Sequence, residues 1–184
     1  MTALTLFNDS DAASPLLQTA DVAEITSELN RIGVRFEQWA TSSTLTAANT
    51  QDEVLAAYAA DIERLKAEGG YQAADVISLA EDNPAKDELR KKFLDEHTHS
   101  EDEVRFFVRG NGLFYLHKEG KVFAVLCEQG DLISVPANTT HWFDMGSKPN
   151  FTAIRLFTNP EGWVANFTGN DIAAGFPKYE DLVQ

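Results

Sequence analysis

The segment His97-Thr-His99-Ser-Glu-Asp-Glu103 places two of the chain's four histidines and a carboxylate within seven residues. A third histidine follows in Pro136-Ala-Asn-Thr-Thr-His141. In an extended strand, side chains at i and i+2 share a face, about 6.6–7 Å apart along the chain. Two imidazoles so placed can lean onto one ion, each bonding at roughly 2.0–2.2 Å. Glu103 is four residues beyond His99, and a straight strand would carry it about 13 Å away. The chain must therefore bend at Ser100-Glu-Asp102, a polar stretch, and return with Glu103 at the head of the next strand. His141 then enters from a later strand, held by the turn at Pro136. A fold that meets these demands has to curl its strands around one point.

The strand that Glu103 opens alternates. Glu103, Arg105 and Phe107 share one face and Val104, Phe106 and Val108 the other. Arg105 thus joins the ligand face. Two or three histidines with one carboxylate leave coordination positions open, which suits iron(II) or its neighbours better than calcium or magnesium. Nickel, cobalt, manganese and zinc are compatible with the same donors. His117, beside a hairpin loop, reads as a solvated residue rather than a ligand.

The formal charge of −14 excludes the basic stripe that a nucleic-acid partner requires, and disfavours anionic membranes. An anionic substrate must then be drawn in locally, by a metal or a buried arginine. The single cysteine, Cys127, forms no internal disulfide and fits a reducing compartment. The first residues lack a basic, apolar secretory signal, and no segment has the apolar length of a membrane span. The expected location is the cytoplasm.

The rest of the chain reads as scaffold. Leu4-Thr-Leu6 alternates as a short edge strand. From Asp21, the spacing Val22, Ile25, Leu29 and Ile32 has helical period, with Gly33 as its stop. Residues 34–39 alternate as a strand. Thr50-Gln-Asp-Glu53 has the form of a capping box, opening one helix through Val54, Tyr58, Ile62 and Leu65 to Gly69-Gly70. A strand at 75–79 and a helix with Pro84 in its first turn follow. Beyond residue 95 the pattern changes to short strands, at 103–109, 113–117, 122–127, 132–135 and 152–157, separated by glycine-bearing turns such as Gly110-Asn-Gly112. The expected class is α+β in one domain of 184 residues. Residues 1–95 form a helical and edge-strand portion packed on a barrel core at 96–169. Residues 170–184 read as a frayed tail with a short helix near Ile172.

The spacing His97-x-His99-x3-Glu103-x6-Gly110, with Gly130-x5-Pro136-x4-His141, resembles the two motifs of the cupin superfamily, jelly-roll-like antiparallel β-barrels. Lys91 and Asn138 stand where those motifs have glycine, and Met145 where they end in asparagine. These are turn and packing positions, and all four ligand positions are filled. The stretches around Phe93 to Val108, Ile133 to Ala137 and His141 to Gly146 narrow the resemblance, together with Ala153-Ile-Arg-Leu-Phe157 and Pro160-Glu-Gly-Trp163. They resemble the acireductone dioxygenase family of methionine salvage.

That resemblance implies a metal held by His97, His99, Glu103 and His141, either Fe(2+) or Ni(2+), one per monomer. It implies O2-dependent cleavage of the acireductone 1,2-dihydroxy-3-keto-5-methylthiopentene. The iron form yields formate and 4-methylthio-2-oxobutanoate; the nickel form yields formate, CO and 3-methylthiopropionate. Arg105 corresponds to the family residue that stabilises the substrate dianion. Glu96 and Asp102 correspond to positions tied to metal incorporation and to relaying conformational change. Phe93, Phe107, Phe143, Trp142, Trp163 and Met145 are candidates to surround the methylthio tail, of which two or three are expected to do so. Arg155 is expected either to orient an acid near the metal or to stand at the pocket rim. The family leans toward a monomer. Two other readings stay open: a different cupin metalloenzyme, such as an oxalate-type decarboxylase or another dioxygenase, and a cupin that only binds a small ligand.

Overall fold

The computed structural model describes residues 1–41, 45–159 and 164–183. In chain order its first elements are β1 (Ala3–Asn8), β2 (Leu17–Thr19), α1 (Val22–Arg31), β3 (Arg35–Gln38), α2 (Gln51–Ala57), α3 (Ala59–Gly69), β4 (Ala73–Leu79) and α4 (Lys86–Leu94). There follow β5 (His97–Thr98), β6 (Glu103–Lys118), β7 (Lys121–Glu128), β8 (Asp131–Val135), β9 (Thr140–Asp144) and β10 (Phe151–Phe157). The chain closes with β11 (Asn166–Phe167), α5 (Ile172–Gly175) and α6 (Tyr179–Leu182).

The long strand β6 belongs to two antiparallel sheets. Its first half pairs with β8 and β10, extended by β3 and β4. Its second half pairs with β7 and β9, extended on one side by β1 and β2 and on the other by β5 and β11. The turn expected at Gly110-Asn-Gly112 is therefore not a turn. The strand runs on and changes sheets there. A bulge shifts its register against Thr152 and Ala153, leaving Val108 without an opposite residue. The interior face moves with it, from odd positions (Phe107) to even ones (Phe114, Leu116). Gly110 has φ +72°, and a Cβ there would lie 1.8 Å from the Asn150 carbonyl oxygen. Gly110→Ala is expected to lower stability by about 2–4 kcal/mol, combining left-handed strain with overpacking. A urea unfolding midpoint equal to that of the unmodified protein would contradict this role for the glycine.

Side chains from both sheets meet inside the barrel, among them Leu4, Phe36, Phe107, Phe114, Phe123, Ile133, Phe143 and Phe151. Helix α1 adds Ile25 and Leu29 to that cluster. Its start is fixed by Asp21, whose carboxylate accepts from the Ala23 and Glu24 N–H groups, and Gly33 follows its end at φ +81°. The outer face of one sheet (Val104, Phe106, Leu132, Ile154) is covered by Val54, Tyr58, Ile62 and Leu65. These come from two helices rather than the one expected, because the backbone leaves helical geometry at Tyr58 (φ −114°, ψ 20°). The capping box that opens them is present, with Thr50 and Glu53 exchanging side-chain-to-backbone hydrogen bonds.

Three further expectations need correction. The first strand is not an edge, since β1 lies between β7 and β2. Helix α4 begins after Ala85, leaving Asn83 and Pro84 in the turn before it. The C-terminal tail is docked, not frayed. Ala173 and Phe176 pack with Phe7, Tyr115 and Trp142 on the outer face of the second sheet. Arg90 on α4 binds Asp144 on β9 through two hydrogen bonds and reaches Glu180 on α6 with a third.

Candidate metal centre

The short strand β5 pairs with β9 so that His97 lies opposite His141. The chain then bends through Ser100 and Glu101, and Glu103 returns at the head of β6. Two hydrogen bonds tie this bend to the turn before β9. Asn138 N–H donates to the His99 carbonyl, and Ala137 N–H donates to Asp102 Oδ1. Asn138 takes φ +61°, a left-handed conformation that asparagine tolerates, which explains how it replaces glycine there.

The three imidazoles are held in one tautomer. His97 Nδ1 lies 2.6 Å from the Asp95 carbonyl oxygen, His99 Nδ1 3.2 Å from that of Val164, and His141 Nδ1 2.8 Å from that of Thr139. A carbonyl oxygen only accepts, so each Nδ1 carries a proton, and the neutral ring presents its lone pair on Nε2. Burial, reinforced by the His141 ring, pushes the His97 imidazole down to about 4. Burial likewise lowers His99, with Glu103 opposing it. Both rings are neutral near pH 7, as metal ligation requires.

The three rings offer nitrogens that lie within 4.8 Å of one another. Glu103 Oε2 is 2.7 Å from His141 Nε2 and 3.4 Å from His99 Nε2. Burial alone would raise the Glu103 carboxyl, but Arg105, His141 and His99 hold it well below the usual carboxylate range. With His141 in that neutral tautomer, an ionised oxygen faces a nitrogen lone pair. Both atoms are buried, and neither makes a hydrogen bond of acceptable geometry. Two lone pairs so close repel each other, and a cation bonded to both removes the conflict. Ligands about 2.1 Å from one ion lie roughly 3–4 Å apart; the 3.4 Å pair falls in that range, and the 2.7 Å pair needs only a few tenths of an ångström more. The donor set fits a divalent metal.

Arg105 is buried, with Nε 2.8 Å from Glu103 Oε1. Its guanidinium lies over the rings of Phe143 and Phe114, at 5.1 and 5.3 Å. It pairs in register with Arg155 on β10, and Arg155 with Asp75 on β4. Arg155 binds both Asp75 carboxylate oxygens, at 2.8 and 2.6 Å. Burial works against the charge on Arg105, as does Arg155, while Glu103 and Asp75 uphold it. A cavity of about 490 Å³ opens beside the histidines. Lys92, Arg105 and Arg155 line it with positive charge, and Phe93, Val164, Ala165 and Phe167 with apolar surface. In a chain of net charge −14, this cationic wall gives an anionic ligand a local attraction. A larger cavity, of about 660 Å³, lies between α4 and the C-terminal helices and contains none of the candidate ligands.

The other expected site residues divide. Phe93 lines the cavity. Phe107 and Phe143 do not reach its wall; they are buried in the barrel interior, with Phe143 beneath Arg105. Met145 is buried in the same cluster, and Trp142 stacks on Tyr115 at 5.0 Å on the opposite face of its sheet. Trp163 lies outside the described residues. Arg155 is at the cavity but orients on Asp75, not Glu103. The Glu96 carboxylate turns to His117 and Thr168, and that of Asp102 to the Ala137 amide. His117 is not solvated: its side chain is only 20% exposed and lies 2.7 Å from Glu96. Asp75, Lys92, His117, Val164 and Phe167 escaped the sequence reading. Only Asp75 carried a signal, as a carboxylate opening the strand expected at 75–79.

Residues 3–165 match the model of the ARD/ARD′ family. An acireductone dioxygenase of Hahella chejuensis is 59% identical over 184 residues, covering 100% of this chain and 99% of that one. One from Klebsiella oxytoca is 60% identical over 178 residues, covering 97% and 99%. Among solved structures, an acireductone dioxygenase from Bacillus anthracis with a cadmium ion in its active centre superposes with a TM-score of 0.81. It is 35% identical, and the match covers 91% of this chain and 98% of that one.

Proposed function

The chain belongs to the ARD/ARD′ family of acireductone dioxygenases, metal-binding oxidoreductases of the cupin fold, and we propose that His97, His99, Glu103 and His141 hold its metal. The observation that carries this reading is the buried meeting of Glu103 Oε2 and His141 Nε2, 2.7 Å apart beside two further imidazoles, which a cation bonded to all of them reconciles. The metal is iron(II) or nickel(II), one per chain. Its substrate is the methylthio acireductone of methionine salvage, cleaved with O2. With iron one carbon–carbon bond breaks, giving formate and 4-methylthio-2-oxobutanoate. With nickel two break, giving formate, CO and 3-methylthiopropionate.

When bound, the metal supplies Lewis acidity and open positions for the enediol oxygens. The protein supplies the rest. The three Nδ1–H···O=C bonds place the proton of each neutral ring on Nδ1 and aim each Nε2 inward. Arg105 neutralises the enediolate while staying charged in a dry site, which arginine does better than lysine. Its ion pair with Glu103 fixes its direction. Arg155, oriented by Asp75, keeps a second cation facing the cavity. Phe93, Val164 and Phe167 offer the apolar surface that a methylthio tail needs.

The chain acts as one cytoplasmic, monomeric domain. Supporting this, β6 is shared by both sheets, and helices from both ends of the chain cover their outer faces. Cys127 is a free, buried thiol. Among the described residues no helix is long and apolar enough to cross a membrane. A substrate panel tests the function directly: rapid O2 consumption with the methylthio acireductone and none with oxalate is expected. Turnover of oxalate in place of the acireductone would move the chain to another cupin chemistry.

A further inference from the structure

The Glu96 carboxylate is 3% exposed and stands one residue before the ligand His97. A carboxylate in that position competes for the metal unless its oxygens are engaged elsewhere. Here both are. His117 Nδ1 donates to Oε2 at 2.7 Å, and Thr168 Oγ1 donates to Oε1 at 2.7 Å. The Thr168 N–H also donates to the Glu96 carbonyl, at 3.1 Å. Beyond His117, on the solvent side, Asp9 Oδ2 lies 3.4 Å from Nε2.

Thr168 belongs to residues 164–169, the segment that walls the cavity. Phe167 pairs with His97 in the β11–β5 ladder, and its ring centroid lies 5.8 Å from the His97 ring. The Val164 carbonyl accepts a hydrogen bond from His99 Nδ1–H and so sets the tautomer of that ligand. Val164 and Phe167 are 66% and 51% exposed, so little apolar burial secures them. The segment ends at Gly169, with φ +76° and open space around it. A two-residue strand is weak by itself, so the hydrogen bonds to Glu96 are its main anchor. His117, paired in the β6–β7 ladder opposite Val122, is what holds Glu96 in place to receive them.

We propose that His117 is a positioning residue of the metal centre: through the Glu96 carboxylate it anchors residues 164–169, which orient His99 and cover His97. The inference rests on the metal-centre reading above. It assigns His117 no contact with substrate or metal.

The test compares His117→Phe, His117→Asn and Thr168→Val in the full chain. Phenylalanine keeps the ring volume and removes the donor. The asparagine amide occupies the Nδ1 position and restores it. Hydrogen–deuterium exchange is measured on the metal-free proteins, and nickel release into excess chelator on the nickel-loaded ones. His117→Phe and Thr168→Val are expected to speed exchange in residues 164–169 and to accelerate nickel release about tenfold, the lower end for a lost partner behind a ligand. His117→Asn is expected to return both to within about twofold of the unmodified protein. Unchanged exchange and release in His117→Phe would overturn the proposal, as would an asparagine variant no better than phenylalanine. Exchange without metal reads the anchor alone. An unmodified protein that retains no nickel would overturn the metal centre, and with it the role of His117 there, while leaving the exchange result on the anchor standing.

Discussion

Arg105→Ala is expected to keep its metal and lose about 10²–10³-fold in kcat, the cost of removing one preorganised group that stabilises developing negative charge. The guanidinium is buried, ion-paired with Glu103 and facing the cavity that Arg155, His97 and His99 also line. Its removal leaves the buried Glu103 carboxylate without its nearest cation, which in the metal-free protein costs about 3–5 kcal/mol. Metal binding offsets that loss by supplying a new counter-charge, so the loaded variant is the one to assay. Arg105→Lys should recover only part of the rate, because an ammonium lacks the planar fork. Single-turnover kinetics on protein of verified metal content measures the effect. A loaded alanine variant with near-normal kcat would reduce Arg105 to a structural partner of Glu103.

His97→Ala is expected to abolish metal retention with the circular dichroism unchanged. Four ligands that together bind with about 10–16 kcal/mol contribute roughly 3 kcal/mol each, so one loss exceeds two orders of magnitude in affinity. The fold has little stake in this side chain, since β5 is two residues long and the barrel interior is built from other strands. Metal content after gel filtration reads the first effect. So does a melting temperature that no longer rises when metal is added, while the far-ultraviolet spectrum reads the second. Metal content equal to that of the unmodified protein would remove His97 from the site.

The features legible in the sequence are those set by short-range geometry. The bend at Ser100-Glu-Asp102 follows from the reach of a strand, and the structure bends there. The Thr50–Glu53 capping box and the Gly33 stop are local hydrogen-bond and φ requirements, and both are met. What was not legible depends on partners distant in the chain. Gly110-Asn-Gly112 has turn composition, yet β10 on one side and β7 on the other keep the strand running through it. Phe93, on α4, reaches the cavity wall from the edge of the cluster that holds Phe107 and Phe143, a division set by long-range packing. His117 reads as a surface residue next to a hairpin loop, because its partners Glu96 and Asp9 are 21 and 108 residues away. The tail is too short to show a periodic pattern, and its docking rests on Phe176, Ala173 and the Arg90 bridge from α4.

The most direct test of the central claim is oxygen uptake when the methylthio acireductone is added to anaerobically iron-loaded and nickel-loaded protein, with headspace CO followed in parallel. Uptake far above the spontaneous background is expected with both metals, and CO with nickel alone. No uptake by correctly metallated protein would contradict the assigned reaction, and CO from the iron-loaded protein would contradict the claim that the metal selects the products.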